Sequence, residues 1–105
     1  MGEVIVDTLI IEEDRPAYIA KHNIIIDEVL EVLTGDYVYI AGRENRWLII
    51  GMTARNVFLT IVIGERSKEN TYGLITARPS RRHERSFYIE YTTQEGGEED
   101  EDQAS

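Results

Sequence analysis

Residues 74–91 read LITARPSRRHERSFYIEY, and within them the pattern changes from a strand to a helix at Pro79. Four arginines, Arg78, Arg81, Arg82 and Arg85, follow at intervals that place them on one face of a helix. Clustered guanidinium groups suit phosphate or carboxylate because they offer forked donors in a fixed plane. The segment therefore predicts a last helix of the domain that carries a stripe of positive charge along one face.

Length and composition predict one soluble globular domain. The chain has 105 residues, of which 42% are hydrophobic, so it is large enough for a modest core. It contains no cysteine, which excludes disulfides and thiolate metal sites. No secretory signal and no apolar run long enough to span a bilayer are present. A cytoplasmic location without membrane association is the expectation.

The formal charge of −9 is unevenly distributed along the chain. Six of the 20 acids lie in the last eleven residues, and the remaining 14 acids face 11 bases. Five of those bases lie between Lys68 and Arg85. Because an acidic molecule repels nucleic acid at long range, any nucleic-acid binding must use a local patch.

The first part of the chain predicts one strand and two short helices. Residues 3–11 are rich in β-branched side chains and predict a strand. Pro16 marks the first turn of a short helix, and Asn23 is a plausible left-handed stop. A second helix is predicted from Ile26 to Thr34, with Gly35 ending it.

From Tyr37 onward the pattern predicts four strands joined mostly by short turns. The strand-like runs are YVYIAG, RWLIIGMT, NVFLTIVIG and YGLITAR. The order is β-α-α-β-β-β-β-α, which indicates an α+β fold with an antiparallel sheet and helices packed on one face. Residues 1–92 form the domain, and residues 93–105 are predicted to be a disordered acidic tail.

Three stretches together resemble the BrnT family of toxins from bacterial type II toxin–antitoxin systems, proteins with a RelE-like fold. The first is IAKHN followed by DEVL, residues 19–23 and 27–30, which is similar to the family's Lys/Arg-His-Gly turn and Glu-rich helix. The second is RWLIIG, residues 46–51, and the third is ITAR, residues 75–78, running into Arg82, Glu84, Arg85 and Tyr88. Asn23 stands where the family has glycine, a change that still tolerates a left-handed backbone.

The resemblance implies a metal-independent endoribonuclease that inhibits translation and needs no cofactor. Such cleavage leaves a 2′,3′-cyclic phosphate after a base takes the 2′-hydroxyl proton and cations stabilise the phosphate. The implied partners are RNA and a cognate antitoxin protein, in a homodimer or a toxin–antitoxin heterotetramer.

The resemblance and the residue chemistry select the candidate site residues. The catalytic candidates are His22, whose imidazole can act as an acid or a base, and the phosphate-stabilising Arg78 and Arg82. Arg78 lies where the strand becomes the helix, close to a helix N-terminus that itself attracts anions. The candidates for RNA-phosphate binding are Lys21, Arg66, Arg81, Arg85 and Tyr88.

Each candidate also has a purely structural interpretation. His22 could bond a backbone carbonyl at a helix end, and the arginine stripe could form salt bridges to acids such as Glu84. Lys21, Arg66 and His83 suit an exposed surface, whereas Tyr88 and Trp47 suit packing on the sheet. No metal-ligand spacing, Ser-His-Asp pattern or glycine-rich phosphate loop is present.

Three functional hypotheses follow. The first is the ribonuclease toxin. The second is a non-catalytic binding module of the same fold that holds an acidic partner segment on its arginine face. The third is that the acidic tail folds back and masks the arginine helix through contacts that salt weakens.

Overall fold

The computed structural model describes the backbone of residues 4–104 and the side chains of residues 4–93. The predicted α+β class and element order are confirmed. The elements are β1 (Thr8–Ile10), α1 (Arg15–Ala20), α2 (Ile26–Thr34), β2 (Tyr37–Ala41), β3 (Arg46–Met52), β4 (Phe58–Glu65), β5 (Thr71–Pro79) and α3 (Arg82–Ala104).

The sheet has the strand order β1-β5-β4-β3-β2. Strands β2 to β5 pair antiparallel, as their short connections require, but β1 pairs parallel with β5. The expectation of a wholly antiparallel sheet is therefore wrong at β1. The short turns that predict antiparallel pairing join only β2 to β5, whereas two helices separate β1 from the next strand.

Strand registers divide the sheet into two chemically different faces. One cross-strand row contains Ile49, Ile61 and Ala77, and each of these side chains is completely buried. The adjacent row contains Ile50, Thr60 and Arg78. Because successive side chains of a strand alternate between faces, the two rows point to opposite sides.

Helices α1 and α2 cover the face that carries the first row. Their buried residues, Ile19, Val29 and Val32, belong to the same hydrophobic cluster as Ile49 and Ile61. This packing follows from the apolar spacing of α2, and Gly51 on β3 allows α2 to approach the sheet closely.

Helix α3 packs on the other face. Its Glu84 accepts a hydrogen bond from Thr60, and its Tyr88 contacts Phe58, which lies on the same face of β4. The expectation that all helices pack on one face is therefore wrong for α3. The physical reason is the alternation of apolar and polar side chains at the end of β5. Ala77 points to the apolar face, whereas Arg78 points to the opposite, polar face, where it pairs with Glu84 of α3.

Local backbone conformations match the predicted helix ends. Asn23 has a φ of 63°, in the left-handed region predicted for it, and the bounds of α2 agree with the prediction. Pro16 lies in the first turn of α1. In the part of the chain described, no helix combines the length and apolar character that crossing a bilayer would require.

Helix α3 extends into the segment predicted to be an acidic tail. The side chains from residue 94 onward lie outside the described residues. The proposed domain boundary and the disorder of residues 93–105 therefore stay predictions.

Candidate functional site

A buried carboxylate organises the junction between β5 and α3. Glu84 is only 2% exposed, yet its two oxygens accept four hydrogen bonds. Arg78 donates from Nη1 to Oε1 at 2.8 Å and from Nη2 to Oε2 at 2.7 Å. The Thr60 hydroxyl and the Arg81 backbone N–H each donate to Oε1 at 2.8 Å. Glu84 is thus fully bonded, and it fixes the Arg78 guanidinium in a bidentate pair.

The position of Glu84 explains why α3 begins there. Its carboxylate lies three residues beyond Arg81 and caps the Arg81 N–H from inside the first helical turn. Ser80 adds a second link, because its hydroxyl lies 2.8 Å from the Thr60 hydroxyl. The junction therefore joins β4, β5 and α3 through side-chain hydrogen bonds.

The surroundings of Glu84 shift its proton affinity strongly. Burial acts to raise the pKa of Glu84, but hydrogen bonds from Arg78, Arg81 and Thr60 and the charge of Arg78 outweigh burial. The net effect lowers the pKa of Glu84 from 4.5 to about 2. A carboxylate with so low a pKa remains ionised near neutrality and is a poor general base.

The arginine stripe divides into paired and exposed members. Arg78 is half-buried and bonded to Glu84, and this pairing raises the pKa of the guanidinium. Arg85 is exposed and donates from Nη1 to the Ser80 carbonyl at 2.9 Å. Arg81 and Arg82 are exposed on the first turn of α3. Arg81, Arg82 and Arg85 therefore remain accessible to an anion, while the bidentate donors of Arg78 are engaged by Glu84.

His22 lies in a different part of the molecule. It follows α1 in the turn to α2, its backbone N–H bonds the Ile19 carbonyl, and its side chain is exposed. Within residues 4–93, no hydrogen bond or ion pair joins His22 to an arginine. Because α1 and α2 cover the face opposite Arg78, the structure does not bring His22 together with the arginines of α3 in one cleft.

Lys21 accompanies His22 in the same turn. Its ammonium lies 5.4 Å from the centre of the Tyr18 ring, which also stacks with Arg15 at 4.4 Å. Lys21 is therefore on the His22 side of the sheet and not beside the arginine helix.

Arg66 lies across the face of the sheet that carries Arg78. A Cβ atom placed on Gly73 would clash with its guanidinium, and one on Gly64 would lie 3.5 Å from its Nη1. These two glycines are register partners on β4 and β5, so they leave a flat backbone surface beneath the arginine. In the sequence, Gly73 was a signal of this arrangement, because a glycine inside a strand often marks a place where another group approaches the backbone closely.

The aromatic candidates are packing residues. Tyr88 contacts Phe58 edge to face, with ring centres 5.4 Å apart. Trp47 contacts Tyr39 in the same geometry at 5.9 Å and donates its indole N–H to Glu65 at 2.9 Å. Both rings are partly buried, so each packs on the sheet, and part of each ring's surface remains accessible.

Sequence reasoning missed Thr60 as a member of the junction. A threonine in a run of Val and Ile gives no sign that its hydroxyl is buried against a carboxylate. A related signal was Glu84, which follows Arg81 by three residues as the glutamate of a capping box would, but this spacing indicates the helix start and not the role of Thr60.

Comparisons with known proteins show which architecture this chain shares. No protein-family model matches the sequence, and no curated protein sequence is similar to it. Among solved structures, the chain is similar to the ribonuclease toxin BrnT of Brucella abortus, with a TM-score of 0.57 and 17% identity. The match covers 71% of this chain and 97% of that protein.

The chain has a BrnT-like fold. This agrees with the resemblance of the three sequence stretches, which span the same order of elements. At 17% identity the likeness shows the architecture, and the residue roles are a separate question.

Proposed function

We propose that this protein is the toxin component of a type II toxin–antitoxin system and acts on RNA as an endoribonuclease. The observation that carries the proposal is the BrnT-like fold, which covers almost the whole length of the Brucella ribonuclease toxin. The fold alone does not determine activity, so the proposal also depends on the cations of the sheet face and α3.

RNA is proposed to bind along the face formed by β4 and β5. Arg66 lies over the glycine pair of these strands, and the exposed Arg81 and Arg85 lie at the start of α3. Charged groups at both ends of a flat strip suit the phosphates of a single strand, since every phosphate carries a charge. Arg78 acts through Glu84 as a positioning residue for this surface.

The proposed cleavage needs no metal. A base removes the 2′-hydroxyl proton, the 2′-oxygen attacks the adjacent phosphorus, and the 5′-oxygen leaves with a proton from an acid. The products are a 2′,3′-cyclic phosphate and a 5′-hydroxyl. His22 remains the proposed acid or base. Since His22 lies across the sheet from Arg78, this role places the scissile phosphate on the α1–α2 side while the flanking RNA binds the β4–β5 face.

The test is RNA cleavage in the presence of a chelator. Wild-type protein is incubated with structured RNA beside His22→Ala, Arg66→Ala and the matched control Arg55→Ala, which removes an exposed arginine from the β3–β4 turn. We expect cleavage by wild type and Arg55→Ala, with cyclic phosphate ends identified by mass spectrometry. Loss in Arg66→Ala supports the sheet-face site, and loss in His22→Ala supports its catalytic role.

A second candidate function is favoured by one specific observation. The catalytic candidates His22 and Arg78 lie on opposite sides of the sheet, and Arg78 is already paired with Glu84. A non-catalytic module would use the exposed arginines of α3 to hold an acidic segment of a partner, such as a cognate antitoxin. Absence of cleavage at every protein concentration, with saturable binding of an acidic peptide that Arg82→Ala weakens, would establish this alternative.

A further inference from the structure

Helix α3 covers only part of the sheet face on which it packs. Strand pairing aligns Val38, Ile50 and Thr60 in one row of that face, and all three side chains are buried. The next row of the same face lies two residues further along each strand, because side chains alternate between faces. Every side chain of that second row is partly exposed, so the cover that α3 provides ends between the two rows.

The second row is apolar across four strands. Ile40 pairs with Leu48, and Leu48 pairs with Val62. The register shifts after Val62, and beside it Ile75 lies on the same face, since a Cβ atom on Gly64 would meet Ile75 Cδ1 at 3.4 Å. Neighbouring strands are about 4.8 Å apart, so the four side chains form a row about 15 Å long. We call Ile40, Leu48, Val62 and Ile75 the apolar row.

The chemistry of the apolar row indicates which form of chain it can hold. Strand backbones bond within the plane of the sheet, so the row offers side chains and no backbone partners. A segment bound there must satisfy its own backbone, as an α-helix does, and about three helical turns match the length of the row. Thr76, the register partner of Val62, adds a single hydroxyl. The row contains no aromatic ring on which a nucleobase could stack.

Arginines border the apolar row on two sides. Arg46 is exposed on the same face of β3, two residues before Leu48, and the guanidinium of Arg66 lies over the neighbouring glycine pair. On the opposite side, Arg82 of α3 and Ile40 line a groove of about 620 Å³. Within residues 4–93, none of these three guanidinium groups is paired with a carboxylate.

The charges around the row favour an acidic partner. The groove beside Ile40 is completed by His83, Ser86, Phe87 and Glu90, so a single carboxylate lines it. The three bordering arginines therefore outnumber the acids. Guanidinium groups without a partner suit the carboxylates of Glu or Asp, which accept two parallel hydrogen bonds from each fork.

We propose that the apolar row binds an amphipathic α-helix of a partner protein, with its carboxylates at Arg46, Arg66 and Arg82. Contiguous, partly exposed apolar side chains rimmed by polar groups are typical of protein-binding surfaces, and an amphipathic helix lays its apolar side on such a surface. This differs from an acidic segment held on α3 by charge alone, because the apolar row forms the centre of the interface.

A helix bound at the apolar row also competes with RNA. The row lies between Arg66 and the first turn of α3, which are the two ends of the proposed RNA-binding surface. The partner helix would therefore exclude RNA from that surface. This competition rests on the proposed function, whereas binding of the helix does not.

The test measures the anisotropy of a fluorescent helical peptide with the full-length protein. The peptide carries Leu at i, i+3, i+4 and i+7 and Glu on both sides of that stripe. Salt at about 0.15 M screens repulsion by the overall negative charge of the protein. A control peptide has the same composition in an order that breaks the leucine stripe. We expect it to bind at least about tenfold more weakly, because it cannot bury its leucines on the row.

Protein variants locate the binding site. Val62→Thr combined with Ile75→Thr makes the row more polar with residues that favour strands, and Ile25→Thr makes the same type of change on the α2 side. Arg82→Gln removes a bordering charge, whereas Arg55→Gln removes an exposed charge from the β3–β4 turn. We expect the double variant to weaken binding at least about tenfold and Arg82→Gln several-fold, with both controls unchanged. Circular dichroism confirms that all variants fold.

Three results would overturn the proposal. Equal binding of the peptide with the broken stripe would mean attraction by charge alone. Unchanged binding by the double variant would place the helix elsewhere. A dimer of this chain that the double variant dissociates, measured by light scattering, would show that the row joins two copies of the protein instead.

Displacement of labelled single-stranded RNA by the unlabelled peptide tests the competition. We expect saturating peptide to release the RNA. Peptide binding without any RNA binding by the protein would refute the proposed function and leave the helix site standing. RNA cleavage without peptide binding would refute the helix site and leave the proposed function standing.

Discussion

At the residue scale, Glu84 is the group whose charge matters most to the fold. Its pKa is about 2 in the folded protein and about 4.5 when unfolded, so the unfolded chain takes up the proton first as the pH falls. The stabilisation is complete above about pH 4.5 and is lost as the pH falls toward 2. A shift of this size corresponds to up to about 3 kcal/mol.

We therefore expect Glu84→Gln to be less stable than wild type at neutral pH and to show a smaller loss between these pH values. Urea unfolding followed by circular dichroism measures the free energy at each pH. Glu90→Gln, an exposed position on the same helix, serves as the control and should retain the wild-type profile. If the free energy of unfolding of Glu84→Gln followed the same pH dependence as that of wild type, the loss of stability at low pH would not come from Glu84.

Arg78 and Arg82 should differ sharply when replaced by alanine. Arg78→Ala leaves the buried Glu84 carboxylate without its counter-charge and should cost about 3 kcal/mol. Arg82→Ala removes an exposed side chain and should change stability by less than about 0.5 kcal/mol. Chemical denaturation of both variants measures the difference, and equal stabilities would show that the Arg78–Glu84 pair is not important for folding.

At the element scale, the contact between α2 and β3 depends on Gly51. A Cβ there would lie 2.9 Å from Val32 Cγ1 and 3.3 Å from the Asp36 carbonyl. Val32 is completely buried and stiff at χ1, so it has no room to move away. We expect Gly51→Ala to lower the free energy of unfolding by about 1–3 kcal/mol.

Gly64→Ala is the matched control for that prediction. It adds the same methyl group on the neighbouring strand, where the nearest atom would lie at an ordinary 3.4 Å. Thermal unfolding should show a lower midpoint for Gly51→Ala and little change for Gly64→Ala. The reverse order would mean that α2 adjusts to the added volume.

The elements differ in how far their sequences determine them. Helix α2 was predicted with its observed bounds because its apolar spacing, acidic first turn and terminal Gly35 agree with one another. The pairing of β1 with β5 and the face chosen by α3 were not predicted. Both depend on contacts between residues far apart in the chain, such as Thr60 with Glu84, and no local pattern encodes these.

At the scale of the whole molecule, the sheet separates chemical groups that the sequence suggested would act together. The arginines of α3 were recognised from their spacing, because helical periodicity is a local property. The separation of His22 from them is a property of topology, since one side chain belongs to the layer of α1 and α2 and the other to the opposite face. Arg66 approaches the arginine side only because β4 and β5 pair in register at Gly64 and Gly73.

Charge also acts at the scale of the whole molecule. Replacing the six terminal acids, Glu95, Glu98, Glu99, Asp100, Glu101 and Asp102, with their amides changes the formal charge from −9 to −3. Repulsion of RNA should fall, so we expect binding to single-stranded RNA to strengthen about tenfold at low salt.

The salt dependence of this effect on RNA binding separates a general field from a local contact. At about 1 M salt the screening length is about 3 Å, so an effect of the field alone should disappear, and fluorescence anisotropy across a salt series measures it. Because direct ion pairs are screened less than a long-range field, an advantage of the variant that persists above about 0.15 M salt and fades only toward about 1 M would mean instead that the acidic segment covers the arginines of α3 directly. Equal RNA binding by both proteins at every salt concentration would contradict both explanations, because the six carboxylates would then have no influence on the arginine face.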